Sequence, residues 1–223
     1  MELNRYFSLM VAALLFISPS ATALFIDDLN IDLSAKKRVH YEEVVNRTHG
    51  KKIYTVSMVQ VTTPRINGRE TVINDGALLY SPQKIVLNSG EKGGFKFYYK
   101  GELDAKERYF RVKFVETPVV LDTMTANKKT LFYDYRVAVE AILVVRPAIE
   151  KFSYEFKTGE VKNDGNTYFK YMSSQGCGKK YTHSAFLAPG EKLVINDEHA
   201  QENRVIVYQK RIITLSQCRN AQM

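Results

Sequence analysis

Four histidines, two cysteines and a scatter of acids are the residues of this chain that could hold a metal or move a proton. Their spacing does neither. His40, His49, His183 and His199 fall in no H-E-x-x-H or similar pairing, in which two imidazoles one helical turn apart would bind zinc. No G-x-S-x-G elbow presents a serine nucleophile, and no glycine-rich loop offers backbone amides to a phosphate. Gly93-Gly94 stands alone between charged stretches and reads as a β-bulge or bend. Asp27 and Asp28 are adjacent, so in a strand they point to opposite faces and form no acid/base pair. Asn46-Arg47-Thr48 matches a glycosylation sequon, a match short enough for chance. The residues therefore specify no enzyme, metal or cofactor.

The most patterned stretch suits another chemistry, backbone pairing. In 131–140, Leu131, Tyr133, Tyr135, Val137 and Val139 form one face, and Phe132, Asp134, Arg136, Ala138 and Glu140 form the other, mostly polar one. Two readings fit. A half-buried strand would lay its apolar face on its own core. An edge strand would instead offer that face to a partner that lacks a strand, with main-chain hydrogen bonds giving affinity and alternate side chains filling pockets. Extended apolar edges invite aggregation, so a protein keeps one only for use. On the second reading these side chains stand exposed until a partner buries them.

The elements that must position this stretch are strands. Ile53, Thr55, Ser57, Val59 and Val61 alternate with Tyr54, Val56 and Met58, leaving both faces partly apolar. Phe95-Lys96-Phe97-Tyr98-Tyr99 and Tyr109-Phe110-Arg111-Val112-Lys113-Phe114 are short, aromatic and β-rich. Pro64, Gly68, Gly76, Pro82, Gly90, Gly101 and Pro118 punctuate them at a spacing of roughly ten residues, which indicates a sandwich or barrel. The polar segment 119–130 reads as a loop before the longest strand, 131–145. Arg146-Pro147 stops that strand, because proline cannot donate to a ladder. A domain boundary is placed there. Beyond it lie Phe152-Ser153-Tyr154-Glu155-Phe156, the turn Asn163-Asp164-Gly165-Asn166, a second turn at Ala188-Pro189-Gly190, and closing strands over 204–215. No internal repeat is visible. The expectation is an all-β protein with one domain over 24–147 and a smaller one over 148–223.

Residues 1–23 stand apart. Glu2 and Arg5 precede an apolar run, then Ser18-Pro19-Ser20 and Ala21-Thr22-Ala23, the layout of a secretory signal peptide cut after Ala23. The run is shorter than the roughly 20 residues that span a bilayer, and no later stretch is apolar enough to do so. The net charge is +8, and the leader holds one acid and one base, so the remainder keeps +8. On an exported chain that charge suits acidic protein surfaces better than nucleic acid, for which there is no motif. Hydrophobic residues at 45% support a folded core rather than disorder. An even cysteine count in an exported protein favours one disulfide, Cys177 to Cys218, over two buried thiols. Such a bond would close a loop of about 40 residues, worth ~4 kcal/mol in the chain-entropy model.

The order of several segments resembles the periplasmic pilus chaperones, the PapD-like proteins of the chaperone–usher pathway, and is most similar to the common-pilus type. The segments are Leu78-Leu79-Tyr80-Ser81-Pro82-Gln83-Lys84-Ile85-Val86-Leu87-Asn88-Ser89-Gly90, then Phe97-Tyr98-Tyr99-Lys100-Gly101, then Lys106-Glu107-Arg108-Tyr109-Phe110-Arg111, and Ile142-Leu143-Val144-Val145-Arg146-Pro147. The resemblance implies two immunoglobulin-like domains at an angle and a periplasmic chaperone rather than an enzyme. It implies pilus subunits and an outer-membrane usher as partners, and no cofactor. The lent strand would be the run from Leu131. Family members anchor a subunit's terminal carboxylate with two basic residues, at positions that fall here on about Asn30 and Ile142. Neither is basic, which leaves Arg136, Arg111 and Lys113 as candidate anchors. A charge network between domains maps to Glu107, Arg146 and Asp197. An extracytoplasmic adhesin or carbohydrate-binding module is the alternative function.

Overall fold

The computed structural model describes residues 24–71, 76–119, 135–157, 159–174, 176, 179–195 and 203–216. The leader, Leu131, Tyr133, Asp197, Cys177 and Cys218 lie outside the described residues, so the cleavage site, the outer part of the run from Leu131 and the cysteine pairing lie there too.

Among the described residues all regular structure is strand. In chain order these are β1 (Asn30–Leu33), β2 (Val39–Val45), β3 (Lys52–Val61), β4 (Glu70–Thr71), β5 (Leu78–Ser81), β6 (Lys84–Leu87), β7 (Lys92–Tyr99), β8 (Arg108–Pro118) and β9 (Val137–Val145). There follow β10 (Tyr154–Lys157), β11 (Glu160–Asn163), β12 (Phe169–Ser174), β13 (Tyr181–Leu187), β14 (Lys192–Val194), β15 (Arg204–Tyr208) and β16 (Arg211–Ser216). The first nine make two sheets, one ordered β1-β9-β8-β3-β4 with β6 also on β3, the other β2-β7-β5. The rest make β10-β11-β14 and β13-β12-β15-β16.

Alternation explains which face each strand buries. Tyr54, Val56, Phe110, Val112, Phe114, Leu143 and Val145 meet Val44, Phe95, Phe97 and Tyr99 in the first core. Val161, Phe169, Tyr171, Leu187, Ile195 and Ile206 build a second core. The doubly apolar character of β3 has a specific cause. Its outward residues Val59 and Val61 pack with Tyr109, Ile142 and Val144 against Ala188 and Tyr168, which sit beside the second core. That cluster is a seam joining the two halves.

Gly93-Gly94 is not a bulge. Both residues pair in unbroken register with β2, Gly93 opposite Val44 and Gly94 opposite Glu43. Gly94 is needed for a close approach: a Cβ there would stand 2.5 Å from the Tyr41 ring. The backbone amides of Asp27 and Asp28 meet one buried carboxylate oxygen of Glu42, at 2.9 and 3.4 Å, which tethers the chain entering β1.

A repeat invisible in the sequence also emerges. Asn46 donates its side-chain amide to the carbonyls of Gly50 and Leu87, while its backbone exchanges hydrogen bonds with Glu91 and Gly90. Asn163 does the same with Thr167, Leu187, Glu191 and Gly190. Gly90 and Gly190 share left-handed φ values of 77° and 79°, which favour glycine. Leu87-Asn88-Ser89-Gly90-Glu91 and Leu187-Ala188-Pro189-Gly190-Glu191 are thus one corner built twice, once per sandwich. Asn46, the sequon residue, is fully buried in that role.

Candidate functional site: the open edge of β9 and the seam beside it

β9 pairs along its whole length with β8, from Glu116 opposite Val137 to Arg108 opposite Val145. On its other side β1 covers only Ile142 to Val145, in parallel. Among the described residues, the stretch from Val137 to Ala141 therefore has a neighbour on one side only, and its outer backbone groups face an open edge.

The face that β9 turns inward changes along the strand. Val145 and Leu143 are fully buried and Ala141 nearly so. Val139 and Val137 are partly buried at the rim of the same core. Tyr135, next on that face, is 59% exposed. The two sequence readings are thus joined in one strand: its inner half lies on its own core, and the face emerges from that core going outward. Val137 and Val139 do not stand free as the strand-lending reading expects. They continue the row of Leu143 and Ala141, and the core still reaches them.

Tyr135 emerges beside a buried ion pair. Lys52 Nζ is 3.3 Å from Glu116 Oε1, their side chains 6% and 3% exposed, and the same ammonium lies 5.0 Å from the Tyr135 ring centre. Lys52 faces Pro118 at this end of the β3–β8 ladder.

The three candidate anchors fall at different places. Arg136 is exposed and precedes β9, and Lys113 is exposed opposite Glu140. Arg111 faces Ile142 from β8, while Asn30 faces Ile142 from β1, so the three share one row and one face of the sheet. The Arg111 guanidinium donates at 3.2 Å to the carbonyls of Arg65 and Ile66 and to Glu70 Oε1, with Glu140 at 3.8 Å. A half-buried guanidinium beside two exposed carboxylates can exchange one for another carboxylate.

At the seam, Arg146 Nη1 lies 2.7 Å from Glu107 Oε1, with the Glu107 side chain fully buried. The sequence missed the other members. Thr167 Oγ1 donates to Glu107 at 2.7 Å and accepts from Arg146 at 2.6 Å, while the Tyr168 amide and the Tyr109 hydroxyl both donate to Glu107 Oε2. Asp32 Oδ1 lies 2.9 Å from Arg146 Nη2, and the guanidinium sits over the Tyr168 ring. Burial alone would lower Arg146, but Asp32 and Glu107 more than offset it and hold the guanidinium above its ordinary value. Burial raises Asp32, with Arg146 opposing. Burial, then the Asp32 charge, pushes the Tyr168 phenol up to about 12. Burial and Glu107 raise Tyr109 further still. Nothing local in the sequence marks Asp32 or Thr167; only the ladder and the seam bring them to Arg146.

Among the described residues no cluster of His, Cys, Asp or Glu could hold a metal ion, and no helix is long and apolar enough to cross a membrane.

No protein-family model matches the chain. It is 31% identical over 214 residues to the probable fimbrial chaperone EcpE of Escherichia coli K12, covering 94% of this chain and 91% of that protein. Its fold is that of the E. coli chaperone DraB, at TM-score 0.61 and 12% identity, covering 87% and 96% of the two chains. It is also that of a structure of the Salmonella enterica SafA pilin in complex with the SafB chaperone, at TM-score 0.60 and 12% identity, covering 89% and 96%.

Proposed function

The chain belongs to the fimbrial chaperone family, a periplasmic and non-enzymatic one, and from that premise we propose that it captures pilus subunits by lending them the strand that leads into β9. The observation that carries this reading is the open edge from Val137 to Ala141, with an inward face that leaves its own core at Tyr135. A subunit lacking a strand would pair with that edge and bury Leu131, Tyr133, Tyr135 and Val137, with Val139 at the junction of the two cores. An outer-membrane usher would then receive the subunit. Arg111 anchors the subunit's terminal carboxylate in place of the non-basic pair Asn30 and Ile142, releasing Glu70 as it does so. The domains divide at 147/148, between β9 and the strands of the second core, and the Glu107–Arg146 network fixes their angle.

The test is co-purification from the periplasm with a co-expressed pilus subunit, using Tyr135→Glu. An added charge on an exposed ring leaves the free chaperone folded, but in an apolar groove it lacks a partner and abolishes capture. Val137→Glu should also lose capture, with some loss of stability because Val137 touches its own core. If Tyr135→Glu captures subunit normally, the lent strand lies elsewhere.

A further inference from the structure

Lys52 and Glu116 form a buried ion pair where β3 and β8 end, at the foot of the emerging strand. Such a pair adds little to stability over an apolar replacement, so stability alone does not account for it at one end of a sheet. The ammonium is held in place by Glu116 and turned toward Tyr135, whose ring it meets at 5.0 Å. The ring itself is 59% exposed, so the contact does little for the free fold. It fixes the direction in which the chain leaves the core. Val119 donates its amide to the Lys51 carbonyl beside it, so the backbone that carries Lys52 is paired on both sides of the ion pair.

We infer that Lys52, held by Glu116, is a positioning residue for the lent strand: it seats Tyr135 at the point where the face of β9 leaves its own core, and so aims that face at a subunit's groove. The inference rests on the strand-lending reading above. A cation over an aromatic face is attractive and strongest when partly desolvated, as here, and a pre-aligned strand loses less freedom on binding.

The test compares purified free chaperones by melting temperature and by recovery of a co-expressed pilus subunit. Lys52→Met with Glu116→Leu removes both charges together, so no lone buried charge remains. This double variant should melt near the parent and capture about five- to tenfold less subunit, the size of a partly desolvated cation–π contact. Lys52→Arg should capture normally. Tyr135→Phe should match the parent and Tyr135→Leu should fall, and the loss from Tyr135→Leu should be smaller in the double-variant background, the difference being the Lys52–Tyr135 coupling. If the folded double variant captures like the parent, Lys52 has no positioning role, and loss of capture by Tyr135→Glu alone would leave the strand-lending reading standing. If Tyr135→Glu also captures normally, that reading itself fails. Should the double variant not fold, normal capture by Tyr135→Leu would overturn the inference.

Discussion

Asn30 and Ile142 stand directly opposite each other in the parallel ladder between β1 and β9, and neither brings a positive charge to a carboxylate. Arg111 is the next residue along the same row, facing Ile142 from β8. Its present partner, Glu70, is 59% exposed.

Arg111→Ala should therefore reduce subunit capture tenfold or more while costing the free chaperone about 1–3 kcal/mol, because the carbonyls of Arg65 and Ile66 lose their donor. Arg111→Lys should restore capture in part, because an ammonium cannot bind a carboxylate bidentately. Capture assays and thermal melts check this. Unchanged capture by Arg111→Ala would remove Arg111 from the site.

The seam network should be unequal in its parts. Arg146→Ala and Glu107→Ala should each cost about 3–5 kcal/mol by leaving a buried charge unpaired, and together less than their sum. Asp32→Ala should cost only about 0–1 kcal/mol, because the Asp32 side chain is 47% exposed. Denaturant melts of the four variants give the coupling. Additive losses for Arg146 and Glu107 would mean that they act separately.

Alkali should loosen the same seam. A phenol raised by folding stabilises the folded state fully below its ordinary value of about 10, and that contribution fades as pH climbs through the folded value. For Tyr168 the window runs from there to about 12. Melting temperature should fall across that window, and less steeply in Tyr168→Phe. Melts at stepped pH with tyrosinate absorbance provide the measurement; equal slopes in the two proteins would exclude Tyr168 as a source.

The doubled corner makes a paired prediction. Asn46→Ala and Asn163→Ala should each cost about 1–3 kcal/mol, because buried backbone carbonyls lose their donor. Hydrogen exchange should show the first loosening the β2–β7 corner and the second the β11–β14 corner. Equal loosening of both corners in each variant would contradict it.

The sequence by itself determined the all-β class, the strand that became β9 and the family, because alternation and the order of short motifs are local properties. It also paired Glu107 with Arg146 by resemblance. What lies far apart in the chain was decided by tertiary structure alone. Alternation in 131–140 could not say where the core stops beneath a strand; the core reaches Val139 and Val137 but not Tyr135, which depends on the facing layer. Gly93-Gly94 looked like a bulge because a glycine pair does not reveal the Tyr41 ring from the neighbouring strand. The doubled corner stayed hidden because the two segments share only Leu, Gly and Glu, while the asparagine each one meets lies more than twenty residues away in the chain. Asp32 joins Arg146, and Lys52 joins Tyr135, only after sheets assemble, since a side-chain contact depends on register and layer rather than on distance along the chain.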